Sequence, residues 1–230
     1  MSEIERIKEV YERRKADKKE RFYSYFNQAN LFIIHQRERA LIHALKQLRL
    51  EDLSDKTILD VGCGSGNFLR EFVQYGAKPK HLYGIDLLEE RIEKAQELNP
   101  NIHFRCGDAS TLPYEDHYFN IVIQFTVFTS ILDSGMKEKI ASEILRVLRA
   151  DGTMIWYDYY LNNPGNPDVK GVGKKEILEL FPDCEVFLKR VTLAPPITRL
   201  LAPFSVVLCE LLDKIPFLCT HYLGWIQKRK

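Results

Sequence analysis

From residue 56 onward the apolar positions fall into two alternating rhythms. Short runs rich in β-branched and aromatic residues come first: KTILDV (56–61), HLYGID (81–86), IHFRCGD (102–108), FNIVIQF (119–125) and DGTMIWYDYY (151–160). Each reads as a strand. FNIVIQF is almost continuously apolar, as suits a strand buried on both faces. Between the runs the spacing changes to that of helices. NFLREFVQYGA (67–77) is closed by Gly76. LLEERIEKAQEL (87–98) puts Leu88, Ile92 and Ala95 on one face, and MKEKIASEILRVLR (136–149) is plainly amphipathic. Strand–helix alternation of this kind predicts an α/β domain with a parallel sheet and helices on both sides.

The flanks differ. Residues 3–20 read as a highly charged helix with a thin stripe of Ile4, Ile7, Val10 and Tyr11. An aromatic linker, FYSYFNQANLF (22–32), leads to a firmer helix carrying Leu41, Ala44, Leu45 and Leu48. Residues 1–50 are therefore expected to form an N-terminal helical cap, and 51–230 the α/β domain. Near the other end GKKEILELF (173–181) predicts a short helix, and EVFLKRVTL (185–193) and HYLGWIQK (221–228) predict two strands. Residues 194–217, apolar and broken by Pro195, Pro196, Pro203 and Pro216, are too long for a hairpin loop and are expected to be a helical insertion.

Charge narrows the partners. Lysine plus arginine is 33 and aspartate plus glutamate 32, a net charge of +1, which argues against gripping nucleic acid electrostatically. The five cysteines are irregularly spaced with no C-x-x-C pair, so neither a disulfide framework nor a zinc site is expected, and no other metal motif stands out. That usage fits a reducing cytoplasm. The charged N-terminus is unlike a signal peptide. The most apolar run, LLAPFSVVLC (200–209), falls short of the ~20 residues that span a bilayer.

The candidate chemistry begins at DVGCGSG (60–66). Its glycines, Gly62, Gly64 and Gly66, are spaced G-x-G-x-G, whereas a dinucleotide turn has G-x-G-x-x-G. Asp60 precedes them, and a carboxylate there repels a pyrophosphate but suits a cationic ligand. Asp86 ends the second strand, where a carboxylate would accept from ribose hydroxyls. Gly107-Asp108-Ala109 ends the third, where an acid and a backbone N–H can read an adenine edge.

Taken together, in this order, these segments resemble the class I S-adenosylmethionine-dependent methyltransferases over about residues 50–190. DVGCGSG is similar to their first motif, YGID to the ribose-binding strand end, CGDA to the adenine-binding segment, and VLRADGTMIW to the helix and fifth strand that follow. The resemblance implies a Rossmann-like, mostly parallel seven-stranded sheet that binds S-adenosylmethionine and releases S-adenosylhomocysteine. It implies that Gly62, Cys63, Gly64 and Gly66 approach the methionine part, and that Asp60 orients its ammonium. Asp86 would then bind the ribose, and Leu87 would flank the adenine that Asp108 and Ala109 read. Gln124 and Phe125 would lie under the reactive methyl. Asn120 departs from the family, many of whose members carry aspartate there.

The acceptor is expected at the carboxyl ends of the fourth and fifth strands. Candidates are Thr126, Thr129, Tyr157, Tyr160, Asn162 and Asn163, with Asp158 either a general base or a structural strand-end aspartate. Tyr25 and His35 are candidates for a lid over the cofactor, with core or surface roles as the alternative. An N-P-P-Y segment and a Pro-Cys pair are both missing after the fourth strand, which demotes nucleobase acceptors. The expected reaction is methyl transfer to oxygen or nitrogen of a small-molecule or glycan-type acceptor. The alternatives are a membrane-associated enzyme acting on a quinone, lipid or lipid-linked intermediate, and a non-catalytic cofactor-binding protein. For 194–217 two readings stand: a sheet-edge cover or homodimer contact, and an apolar wall or peripheral contact with the inner face of a membrane.

Overall fold

The strands assemble in the order β3-β2-β1-β4-β5-β7-β6. They are β1 (Ile58–Val61), β2 (Leu82–Asp86), β3 (His103–Cys106), β4 (Phe119–Phe125), β5 (Leu148–Tyr159), β6 (Cys184–Leu193) and β7 (Cys219–Lys228). The structure, a computed structural model, describes residues 2–16, 23–163 and 165–229. Strands β1 to β5 pair in parallel, and β7 runs antiparallel between β5 and β6. Strand β1 pairs with both β2 and β4, with Val61 beside Ile85 on one side and Gln124 on the other. Strand order reverses there, and the crevice outside the strand ends at such a point is where α/β sheets take ligands.

Alternation along each strand serves two cores. One face carries Leu59, Val61, Val122, Met154 and Trp156 against Ile140, Ile144 and Val147 of α5 (Ser134–Val147). The other carries Ile58, Ile121, Ile123 and Ile155 against Leu41, Ala44 and Leu45 of α2 (Gln28–Gln47) and Leu69 and Phe72 of α3 (Asn67–Gln74). Helices α4 (Glu89–Leu98) and α6 (Lys174–Leu180) complete the layers. Asn120, the departure from the family pattern, accepts hydrogen bonds from Thr57 N and Oγ1, both 3.0 Å, and ties the start of β1 to β4 far from the crevice.

Two boundaries differ from expectation for reasons visible in the contacts. Helix α2 begins inside the predicted aromatic linker, because the Asn27 side chain accepts from Ala29 N and Asn30 N and caps it. Strand β5 begins at Leu148, before the Asp151-Gly152 turn, since Leu148 pairs with Phe119 ahead of a register shift. The expected N-terminal helix, α1, is Glu3–Ala16. Residues 17–20 of that expectation, and Phe22 of the linker, lie outside the described residues.

Residues 194–217 are helical as expected. They form α7 (Pro195–Leu201) and α8 (Val206–Asp213), then a 3-10 turn at Pro216–Leu218. Ala202 and Cys209 seat them on Ala29 and Phe32 of α2 and on Leu193.

Candidate active site

The turn after β1 is pinned to β2. Gly62 N and Cys63 N both donate to Ile85 O, at 2.8 and 3.0 Å. Gly62 has φ +73, and a Cβ there would sit 2.4 Å from Val127 Cγ2, so only glycine lets the loop after β4 close on the turn. Asp86 accepts from Gly64 N (2.9 Å) with one oxygen and from Leu88 N (3.0 Å) with the other. Its carboxylate thus fixes both the glycine turn and the start of α4, and each oxygen keeps a further lone pair. Asp108 is held by Ser110, whose N and Oγ donate at 2.8 and 2.6 Å. Between these strand ends lies a cavity of about 350 Å³. Gly62, Cys63, Gly64, Asp86, Leu87, Asp108, Ala109 and Phe125 all line it, as does Thr126.

Asp60 is fully buried behind the turn, and neither of its oxygens has a hydrogen-bond partner. Burial, and then the charges of Asp86 and Glu71, push its carboxyl well above the usual range. An unpaired buried carboxyl is costly unless a cation or donor completes it. The α-ammonium of S-adenosylmethionine is such a partner, and the free lone pairs of Asp86 suit a ribose diol. The residues present therefore fit this cofactor. Burial, with Asp60 and Asp86 nearby, pushes the Cys63 thiol up, so it stays neutral as a turn residue. Gln124 is buried next to the site without lining it. Its Oε1 accepts from Val127 N (3.3 Å), holding the loop after β4.

Helix α1 supplies residues that motif reading missed. Ile7 and Tyr11 line the cavity, and the Arg91 guanidinium lies over the Tyr11 ring at 4.2 Å. Arg6 Nη2 donates to Ser130 O (2.6 Å), and Glu3 Oε1 accepts from Leu132 N (2.6 Å). The apolar stripe of α1 was visible in the sequence, but nothing in it named the surface it would cover. Phe68, Val127, Met136 and Ile140 also line the cavity. Phe68 meets Phe125 edge-on at 4.4 Å.

Most acceptor candidates lie elsewhere. Asp158 is fully buried and accepts from Thr129 Oγ1 (2.7 Å), Thr129 N (3.2 Å) and Tyr159 N (2.9 Å). Burial raises it to about 7 against the pull of those bonds. The geometry makes it a clamp between the loop after β4 and the end of β5, which consumes Thr129 as well. Tyr157 is buried on the opposite face, with its hydroxyl 3.0 Å from Thr192 Oγ1. Tyr160 donates to Cys219 O (2.7 Å). Asn162 and Asn163 accept from Gly171 N and Gly165 N, shaping their own exposed loop. Tyr25 is exposed, and His35 lies in a groove between α2 and α8. Residues of α1 rather than these two line the cavity, and α2 packs beside the insertion.

His221 stacks on Tyr157, centroids 4.7 Å apart, and burial lowers its pKa to about 3. Below about pH 6.5 the unfolded chain takes a proton that the folded chain refuses. Stability contributed above that pH is therefore lost as the pH falls towards 3. Urea unfolding between pH 6.5 and 4.5 should show roughly 1 kcal/mol lost per pH unit from this group. The slope should flatten in His221→Phe, which keeps the stacking.

A family described as "Methyltransferase domain" matches residues 58–152. Those residues are a class I methyltransferase domain. A Haemophilus influenzae protein described as uncharacterized is 34% identical to the chain over 114 residues, covering 46% of this chain and 44% of that protein. Norajmaline N-methyltransferase of Rauvolfia serpentina is 33% identical over 133 residues, covering 52% and 44%. The chain thus spans less than half the length of these relatives. A solved S-adenosylmethionine-dependent methyltransferase of Methanosarcina mazei superposes with a TM-score of 0.57 at 19% identity, covering 76% of this chain and 93% of that one. At that identity it shows the fold. Among the described residues, no group of three or more His, Cys, Asp or Glu is placed to hold a metal, and no helix is long and apolar enough to cross a membrane.

Proposed function

We propose that the chain transfers the methyl group of S-adenosylmethionine to a nitrogen or oxygen of a small-molecule or glycan-type acceptor. The reading rests on one observation: Asp86 at the end of β2 and Asp108 just past β3 line one cavity with the glycine turn after β1, and Asp60 lies buried and unpartnered behind that turn. The cofactor supplies a sulfonium, whose carbon–sulfur bond breaks as the acceptor lone pair forms the new bond, leaving S-adenosylhomocysteine. What remains for this chain is orientation and desolvation, worth up to about 7–11 kcal/mol where reactants are well aligned. In this assignment Asp60 orients the ammonium, Asp86 holds the ribose, and Asp108 with Ala109 reads the adenine.

Phe68, Phe125 and Val127 wall the cavity beside Thr126, at the end of β4. An apolar wall disfavours a charged amine and keeps its lone pair available. Asp158, the residue considered as a base, is turned into the core. Both points favour nitrogen over a hydroxyl that needs deprotonation. The N-methyltransferase name of the Rauvolfia relative agrees with that preference.

The test is transfer of labelled methyl from S-adenosylmethionine into an extract of source cells, separated into aqueous, glycan, organic, protein and RNA fractions. Label is expected in the aqueous or glycan fraction and should vanish with Asp86→Ala. Label in the organic fraction would move the acceptor to the lipids. Label in RNA would overturn the charge argument. No label with cofactor binding intact would make this a binding protein.

A further inference from the structure

Helices α7 and α8 and the turn after them are apolar on their outward side. Leu200 is 67% exposed, Phe204 85%, Val207 70%, Leu211 56% and Phe217 73%. Their inward side is already used, with Ala202 and Cys209 packed on α2 and Leu193. The outward side thus forms a second apolar face whose large residues meet solvent within one short segment. Contiguous faces of this kind mark interaction sites, whereas scattered exposed residues do not.

Four cations and two acids stand around this face. Arg199 lies in α7 beside Leu200, and Lys214 caps α8 one turn from Leu211, both exposed. Lys189 and Arg190 are exposed near the end of β6, paired with Leu223 and Tyr222 of β7, and the Arg190 guanidinium lies over the Tyr160 ring at 5.0 Å. The neighbouring acids are already engaged. Glu210 pairs with Arg39 at 2.7 Å, and Asp213 accepts from Leu193 N at 3.1 Å. An apolar face rimmed by cations is complementary to a bilayer interface carrying anionic headgroups.

The fold fixes where this face lies. The segment leaves the end of β6 at Leu193 and returns at Cys219, whose strand brings His221 beside Tyr159 at the end of β5. That is the same sheet edge at which β1, β2 and β4 present the cavity.

We infer that residues 194–217 dock the protein on an anionic bilayer, with α7 and α8 lying in the interface plane and the cavity edge of the sheet turned towards the lipid. The docking stands independently of methyl transfer, and its test reads binding alone. The whole protein is sedimented with vesicles of phosphatidylcholine, pure or mixed with phosphatidylglycerol. It should pellet with the mixed vesicles and be released by salt. Phe204→Ser with Val207→Ser should weaken pelleting at least about tenfold, with an unchanged circular dichroism spectrum. Lys189→Gln with Lys214→Gln should weaken the preference for phosphatidylglycerol, at about fivefold per lysine. No pelleting with the mixed vesicles at low salt would overturn the inference, as would equal pelleting of the Phe204/Val207 variant. So would a dimer in sedimentation velocity that this same variant turns into a monomer, since the face would then belong to a second copy.

Discussion

Replacing Gly224 with alanine is expected to keep β7 from seating between β5 and β6. A Cβ at that position would lie 1.8 Å from Phe187 O and 2.8 Å from Phe187 C. Both are backbone atoms of the neighbouring strand, so no rotamer change can relieve the collision. Relief requires β6 and β7 to separate where Leu188 faces Gly224, which breaks the ladder on which β6 and the start of α7 depend. The expected cost exceeds about 4 kcal/mol, a large share of the roughly 5–15 kcal/mol that a domain has in total. Urea unfolding and soluble yield would both register it. Gly173→Ala is the control. A Cβ there meets nothing within 4 Å, so that variant should unfold within about 0.5 kcal/mol of the parent. Parent-like stability for Gly224→Ala would show that the two strands can open without loss.

Asp86→Ala should abolish useful cofactor binding. The carboxylate organises Gly64 and Leu88 and, on the proposed assignment, accepts from the ribose hydroxyls. Hydrogen bonds to a charged group contribute about 1.5–3 kcal/mol each, and two of them correspond to at least about a hundredfold in affinity. The loosened turn adds to that. Calorimetry with S-adenosylhomocysteine would read the change, and circular dichroism would confirm that the sheet persists. Binding as tight as the parent's would place the ribose elsewhere and undo the orientation argued for Asp60 and Asp108.

The parts of the site that were legible in the sequence are those made by neighbours along the chain. A strand, a turn with left-handed glycines at Gly62, Gly64 and Gly66, and a helix occupy one local stretch, and their chemistry can be read there. Asp86 and Asp108 were legible because each ends a strand of recognisable pattern. Contacts between distant segments were not. The Asp158–Thr129 clamp joins the ends of two adjacent strands, and strand pattern alone does not say whether an aspartate at such an end faces the crevice or the core. Tyr25 and His35 stand away from the cavity for a related reason. In sequence the cap reads as one unit, whereas α1 packs at the cavity and α2 packs on the opposite face and against the insertion. Gly224 did carry a signal, since an isolated glycine inside a strand often marks a close backbone approach.

The fastening of α1 bears on tempo. Glu3 and Arg6 bind the loop at Leu132 and Ser130, while Ile7 and Tyr11 wall the chamber. Were the cofactor to enter past this wall, its residence time would depend on how often two charged side chains release one loop. Spent cofactor would linger, throughput would track α1 rather than bond-making, and acceptors of quite different reactivity would be processed at similar speeds.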